Sequence, residues 1–90
     1  MAERSVIVPP GVGLHARPAS LLVQAAAGAA SSVTVARPDG APVNAKSILA
    51  LLGLDVRGGE RVILRADGPG AEEALDRIAR VVAATPSADG

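Results

Sequence analysis

The order in which two apolar periodicities alternate along the chain is the feature that most limits its possible folds. A two-residue period, typical of half-buried strands, occurs at 5–8, 32–36, 41–44 and 60–66. A helical period occurs from Ala16 or Pro18 to 27, at 47–52 and at 71–82. The first start is open because proline favours the first helical position, which would make Arg17 the N-cap. Turns rich in glycine and proline separate these segments, so the predicted order is strand, helix, strand, strand, helix, strand, helix. This order predicts an α+β fold in which three helices cover one face of a four-stranded antiparallel sheet.

The last helix has the clearest pattern. Acidic residues precede arginines by four positions at Glu73/Arg77 and Asp76/Arg80, and this spacing predicts two ion pairs along the helix. Beyond it, the segment 85–90 has no apolar period and is predicted to be a frayed tail. The 90 residues are enough for one small domain, 1–90.

Composition excludes several classes of function. The chain has no cysteine and one histidine, which argues against disulfides and against a metal site made of protein ligands. Because its formal charge is zero and it has no aromatic residue, nucleic acid is not an expected partner. The apolar run at 6–8 is cut off by Pro9 and Pro10, so we expect neither a signal peptide nor membrane insertion, and a cytoplasmic protein without a cofactor.

The single histidine lies in the segment GVGLHARPA, residues 11–19. Since a helix is predicted to begin just after His15, the free N–H groups of Ala16 and Arg17 and the positive end of the helix dipole favour an anion there. The same helix end and the Arg17 guanidinium are expected to lower the pKa of His15 below its ordinary value of about 6.5. A neutral imidazole of this kind is a nucleophile able to take a phosphoryl group. Spacing alone also allows a histidine without a special role.

Two separated motifs, GLHARPA at 13–19 and VNAKSI at 43–48, resemble the signatures of the HPr family. These are the histidine-containing phosphocarriers of the bacterial phosphoenolpyruvate-dependent sugar phosphotransferase system. The resemblance covers the chain to about Val82. It implies an open-faced, two-layer sandwich with strand order 1-4-2-3 and all helices on one side.

The resemblance also implies a carrier rather than an enzyme. His15 would accept a phosphoryl group from Enzyme I, which is itself phosphorylated by phosphoenolpyruvate, and would pass it to sugar-specific IIA domains. Arg17 would assist the transfer, and the backbone of Ala16 and Arg17 would hold the phosphoryl group. The carrier is expected to be a monomer. The expected partner-binding residues are Arg17, Ser20, Lys46, Ile48, Leu49 and Leu52.

Ser47, in the second motif, has two interpretations. As a structural residue it is the N-cap of the short helix. In Gram-positive relatives this serine is phosphorylated by an ATP-dependent HPr kinase, and the modified carrier signals through a transcription regulator; other relatives have the serine without a kinase. A phosphate here would add about two negative charges beside the expected partner-binding residues.

The short helix is apolar on more than one side. Leu51 and Leu54 are assigned to the core, while Ile48, Leu49 and Leu52 are expected to stay partly exposed, although core packing is the alternative for such a run. The spacing from His15 to Ser47 is one residue longer than is usual in the family. The turn at 37–41 is the easiest place for an insertion, and the register of the second and third strands is therefore open.

Other functions remain possible at this point. The Gly11–Gly13 loop, Arg17 and Asn44 loosely resemble an acylphosphatase, which uses an arginine and an asparagine that positions water. However, a proline follows Arg17 and the histidine would have no role. A regulatory module could dock through the Ser47 helix without phosphotransfer. A nitrogen-related or other specialised branch of the same family would share the chemistry and differ in partners.

Overall fold

The computed structural model describes residues 2–8 and 16–84. The strands and helices are β1 (Ala2–Ile7), α1 (Ala16–Ala27), β2 (Ser32–Ala36), β3 (Val43–Asn44), α2 (Ile48–Gly53), β4 (Arg61–Asp67) and α3 (Ala71–Ala84). The strands form one sheet in the order β1-β4-β2-β3, and every neighbouring pair is antiparallel. The predicted element order and sheet topology are confirmed. The tail predicted at 85–90 lies outside the described residues.

The register of β2 and β3 is regular. Thr34 pairs with Asn44, and in the turn between the strands the Gly40 N–H donates to the Arg37 carbonyl at 3.0 Å. β3 lies at the edge of the sheet, as Pro42 indicates, because proline has no N–H to donate to a neighbouring strand. The longer spacing between the two motifs therefore leaves the second and third strands paired in the ordinary way.

β1 begins at Ala2, earlier than the apolar pattern predicts, because its charged residues find partners in other elements. Arg65 on β4 donates to Glu3 at 2.8 Å. Arg4 donates to two carboxylates of α3, Glu72 at 3.0 Å and Asp76 at 2.7 Å. Charged side chains interrupt the two-residue pattern, and only the fold supplies the partners that make them compatible with a strand.

The two ion pairs predicted within α3 are wrong. In the described part of the chain, no ion pair joins Glu73 to Arg77 or Asp76 to Arg80. Asp76 pairs with Arg4 instead, because β1 packs against α3 and brings that guanidinium within reach.

The core lies between the sheet and the helices. Each helix contributes one apolar face and each central strand contributes alternate residues, all at helical or two-residue spacing. Fully buried core residues include Leu22, Leu51, Leu64, Leu75, Ile78, Val33, Val35 and Val62. Burying one such side chain stabilises a fold by about 1.5–3 kcal/mol, so this layer fixes the helices relative to the sheet.

Candidate functional site

The predicted phosphoacceptor segment lies at the edge of what the structure describes. His15 and the glycine-containing segment before it fall outside the described residues, as do the side chains of Arg17 and Pro18. The lowered pKa expected for His15 and the role expected for the Arg17 side chain therefore stay predictions.

The structure does describe the backbone that follows His15. α1 begins at Ala16, the next residue. The first N–H groups of a helix have no partner within the helix. Pro18 is the third helical residue, and because proline has no backbone N–H, it adds no unpaired donor there. Of the two helix starts that the sequence allows, Ala16 and Pro18, the structure has Ala16. Ser20, one turn further on, is half-buried.

Ser47 is the N-cap of α2. Its backbone is extended (φ −114°, ψ 113°), and its Oγ accepts a hydrogen bond from the Ala50 N–H at 3.3 Å. Asn44 fixes the approach to this cap, because its carbonyl accepts from the Ser47 N–H at 3.1 Å and its Oδ1 accepts from the Lys46 N–H at 2.9 Å. The structural interpretation of Ser47 is confirmed, and the residue is half-buried.

Three apolar residues of α2 form a surface that we name the α2 patch: Ile48, Leu49 and Leu52. Leu49 is 80% exposed and Leu52 is 38% exposed, whereas Ile48 packs partly against the core. Leu51, between them, is fully buried. The expected division of this helix into core and exposed residues is confirmed, and Leu54 is partly buried against the core.

Lys46 connects the start of α2 to the end of α1. Its Nζ donates to the Ala29 carbonyl at 3.1 Å. α1 has no basic residue in its own last turn, so this ammonium supplies the positive charge that a helix C-terminus favours. Lys46 is exposed, as a partner-binding residue requires, but part of its donor capacity is already used within the chain.

Arg37 lies in the predicted turn at 37–41, and the sequence predicted no contact for its side chain. Its Nε donates to the Leu54 carbonyl at 3.0 Å and its Nη2 to the Asp55 carbonyl at 2.7 Å, and both carbonyls follow α2 directly. Its Nη1 donates to Glu60 Oε1 at 2.6 Å. No local sequence pattern predicts these contacts, because the partners lie 17–23 residues away along the chain.

The carboxylate of Glu60 is the counterpart of this arginine. Hydrogen bonds from the Arg37 guanidinium and from the Arg57 N–H, the latter at 2.6 Å, hold the pKa of Glu60 below its ordinary value of 4.5. Glu60 is therefore ionised at neutral pH, and its charge balances that of Arg37 at the end of α2.

Two negative findings concern the described residues alone. They contain no group of three or more histidine, cysteine or acidic side chains arranged to hold a metal ion. None of the helices found at 16–84 is long and apolar enough to cross a membrane.

Comparison with known proteins identifies the family and removes one of the alternatives. The family model described as "PTS HPr component phosphorylation site" matches residues 2–84, nearly the whole chain. The chain belongs to the HPr family. It is thus a phosphocarrier of the phosphotransferase system and not an enzyme, which sets aside the acylphosphatase alternative.

Individual HPr proteins support the same conclusion. The chain is 55% identical to the phosphocarrier protein HPr of Streptomyces coelicolor over 83 residues, which cover 92% of this chain and 89% of that protein. The crystal structure of an HPr from Thermoanaerobacter tengcongensis matches with a TM-score of 0.85 at 38% identity, covering 92% of both chains.

A third relative belongs to a regulatory type of HPr. The Bacillus subtilis protein Crh, described as a catabolite repression protein, matches with a TM-score of 0.73 at 43% identity. The match covers 92% of this chain and 94% of Crh, whose crystal structure is described as a swapped dimer. Some proteins of this fold therefore dimerise.

Proposed function

We propose that this HPr accepts a phosphoryl group on His15 from phospho-Enzyme I and donates it to sugar-specific IIA domains. The observation that carries the proposal is the start of α1 at Ala16, directly after the only histidine of the chain. The first N–H groups of a helix have no partner within it, so a histidine directly before α1 in a protein of a phosphate-transferring family supports phosphoryl binding there.

The main contribution of the protein to this chemistry is to position the imidazole and the groups that bind the phosphoryl oxygens. A lone pair of the neutral imidazole attacks phosphorus, a P–N bond forms, and the bond from phosphorus to the donor breaks. The phosphoryl oxygens then lie against the N–H groups of Ala16 and Arg17, and the Arg17 guanidinium balances their charge. Because imidazole is also a good leaving group, the same site releases the phosphoryl group to the next acceptor.

Intact-mass spectrometry tests the assignment of His15. The wild-type protein and His15→Ala are incubated with phosphoenolpyruvate and Enzyme I, and each is measured before and after brief acid treatment. We expect a single acid-labile phosphoryl group on the wild type and none on His15→Ala. An unmodified wild type, or an equally modified variant, would contradict the proposal.

The α2 patch is the proposed docking surface for Enzyme I and IIA domains, together with Arg17, Ser20 and Lys46. A leucine that is 80% exposed in so small a protein supports this role, because its removal from water would favour association. A carrier that meets several partners in turn needs small, transient contacts, and a three-residue apolar surface is suited to them.

Ser47 is the proposed regulatory site, modified by an HPr kinase and read by a transcription regulator. Support comes from its position as a half-buried residue at the start of the helix that carries the α2 patch. A phosphate there would be compatible with the helix dipole and would repel an acidic partner surface. Incubation with HPr kinase and ATP should phosphorylate the wild type and leave Ser47→Ala unmodified; modification of neither would remove this part of the proposal.

A purely regulatory carrier is the second candidate, and its support is the similarity to Crh. The mass measurement separates the two, since a regulatory module would be modified at Ser47 and not by Enzyme I. We further propose that the protein is a monomer and that it lies in the cytoplasm, where its phosphoryl donor is made. Sedimentation of the purified protein and cell fractionation test these two statements.

A further inference from the structure

We propose that Arg37 is a positioning residue that holds the α2 patch in the orientation required for docking. The inference rests on the proposed docking role of this patch and assigns the control of its orientation to a residue outside it. Arg37 follows the last residue of β2, and its guanidinium reaches two carbonyls at the end of α2 and one carboxylate before β4.

Every nitrogen of the guanidinium takes part in these contacts. Nε donates to Leu54 at 3.0 Å, Nη1 to Glu60 at 2.6 Å, and Nη2 to Asp55 at 2.7 Å and more weakly to Glu60 at 3.4 Å. The carboxylate of Glu60 also accepts from the Arg57 N–H, so the loop between α2 and β4 is held on both sides. The backbone carbonyl of Glu60 also accepts from the Val8 N–H at 2.9 Å, and this bond continues the pairing of β1. The end of α2 is thereby joined to three strands.

The backbone at the end of α2 needs such support. Asp55 has a φ of +52°, in the left-handed region that residues other than glycine seldom occupy, although aspartate tolerates it better than most. Arg37 donates hydrogen bonds to two backbone carbonyls, and the shorter of the two, at 2.7 Å, is to the carbonyl of Asp55. Loss of the guanidinium would let Asp55 relax, and the adjoining last turn of α2 would move with it.

α2 also depends on outside contacts because it is short. Six residues cannot hold a helix by local preference alone. Ser47 secures its first turn, and Leu51 anchors its middle in the core. Its last turn contains no basic residue, and Arg37 supplies the positive charge and the donors there. A helix fixed in this way presents Leu49 and Leu52 already ordered, so less ordering accompanies binding.

A matched control is available on β1. Arg4 also bridges two acceptors, Glu72 and Asp76, but it joins β1 to α3 and does not touch α2. Arg4→Met and Arg37→Met thus each remove one bridging guanidinium. A role in stability alone would affect both variants alike, whereas a role in positioning concerns Arg37 only.

The experiment combines amide hydrogen exchange with steady-state phosphorylation by Enzyme I and phosphoenolpyruvate. For Arg37→Met we expect faster exchange at residues 48–54 and a rise of about 2–10-fold in the KM of Enzyme I for the carrier, with kcat unchanged, as the cost of ordering a few side chains predicts. Arg37→Lys should give a KM between those of the wild type and Arg37→Met, because a single ammonium cannot reach all three acceptors of the planar guanidinium. Glu60→Gln, which keeps the two carbonyl contacts, should change KM in the same direction by less.

Leu49→Ala separates this inference from the docking proposal. If Leu49→Ala raises KM and Arg37→Met does not, the positioning role is wrong while the docking surface stands. If Arg4→Met raises KM as much as Arg37→Met, the effect is one of general stability and the positioning role is again wrong. If Leu49→Ala leaves KM unchanged, or the wild type is not phosphorylated, the docking proposal fails and this inference fails with it.

Discussion

Leu49 and Leu51 lie two positions apart on α2 and have opposite environments: Leu49 is 80% exposed, and Leu51 is fully buried. Two positions on a helix are separated by more than half a turn, so one residue meets the core and the other meets solvent. The same side chain therefore serves stability at one position and is free to serve recognition at the other.

Alanine substitutions at these positions should separate the two roles. We expect Leu51→Ala to lower the free energy of unfolding by about 2–5 kcal/mol, because it leaves a cavity in the core. Leu49→Ala should change it by less than about 0.5 kcal/mol, as is usual for an exposed position. In phosphorylation by Enzyme I, Leu49→Ala should raise KM. Urea denaturation and initial rates give the two quantities, and equal losses of stability would contradict the structure.

Substitutions of Ser47 should separate its capping role from the effect of charge. Ser47→Ala removes the acceptor for the Ala50 N–H and should destabilise the protein by about 0.5–2 kcal/mol. Asparagine and aspartate are both good N-caps, so Ser47→Asn and Ser47→Asp should remain close to the wild type in stability. Only Ser47→Asp adds a charge beside the α2 patch, and it should raise the KM for Enzyme I above that of Ser47→Asn. Equal KM values would remove charge as the means of regulation.

The lowered pKa of Glu60 makes stability depend on acidity in a defined direction. In the unfolded chain this carboxyl takes up a proton near pH 4.5, whereas in the folded protein Arg37 and the Arg57 N–H keep it ionised to lower pH. Between these two values the unfolded state binds more protons, so the stabilisation is present above about pH 4.5 and is lost as pH falls through the folded pKa. Urea denaturation from pH 7 to pH 3 should show a smaller loss for Glu60→Gln than for the wild type. An identical pH profile would contradict the assignment.

Two glycines should respond to alanine in opposite ways. Gly68 has a φ of +121°, and an added Cβ would lie 3.3 Å from the Ser31 Cα, which is backbone. Gly68→Ala should therefore destabilise the protein by about 1–3 kcal/mol. Gly53, in the last turn of α2, has nothing within 4 Å of an added Cβ, and Gly53→Ala should stabilise it by about 0.4–1 kcal/mol. Thermal denaturation of both variants checks the difference in sign.

Local patterns were sufficient to predict the elements whose partners lie nearby in the chain. The cap of α2 followed from a serine before an apolar run, and the edge position of β3 followed from Pro42, since each depends on a few neighbouring residues. The partial exposure of α2 also followed, because a helix of this length cannot bury leucines on all sides.

Contacts between distant segments could not be predicted in this way. The early start of β1 and the pairing of Arg4 with Asp76 depend on which strand lies beneath α3, and the spacing within α3 favoured a local partner that the fold does not use. Arg37 is a similar case, because two of its three acceptors are backbone carbonyls, which carry no signature in the sequence, and the third, Glu60, lies 23 residues away. For His15 and Arg17, the motif remains the source of the assignment, together with the helix start at Ala16.

The pairing of β1 with β4 has a consequence for the protein's synthesis. Ala2 lies opposite Ala66 and Ile7 opposite Arg61, so β1 has no neighbouring strand until β4, which follows the other strands of the sheet in the chain, has been made. β4 also joins β1 to β2, and the sheet has no centre until residues 61–67 have emerged. Pairings between such distant segments form slowly, and the aliphatic faces of the growing chain stay uncovered in the meantime. A nascent carrier stalled before β4 would therefore be a target for chaperones, however complete its phosphoacceptor motif.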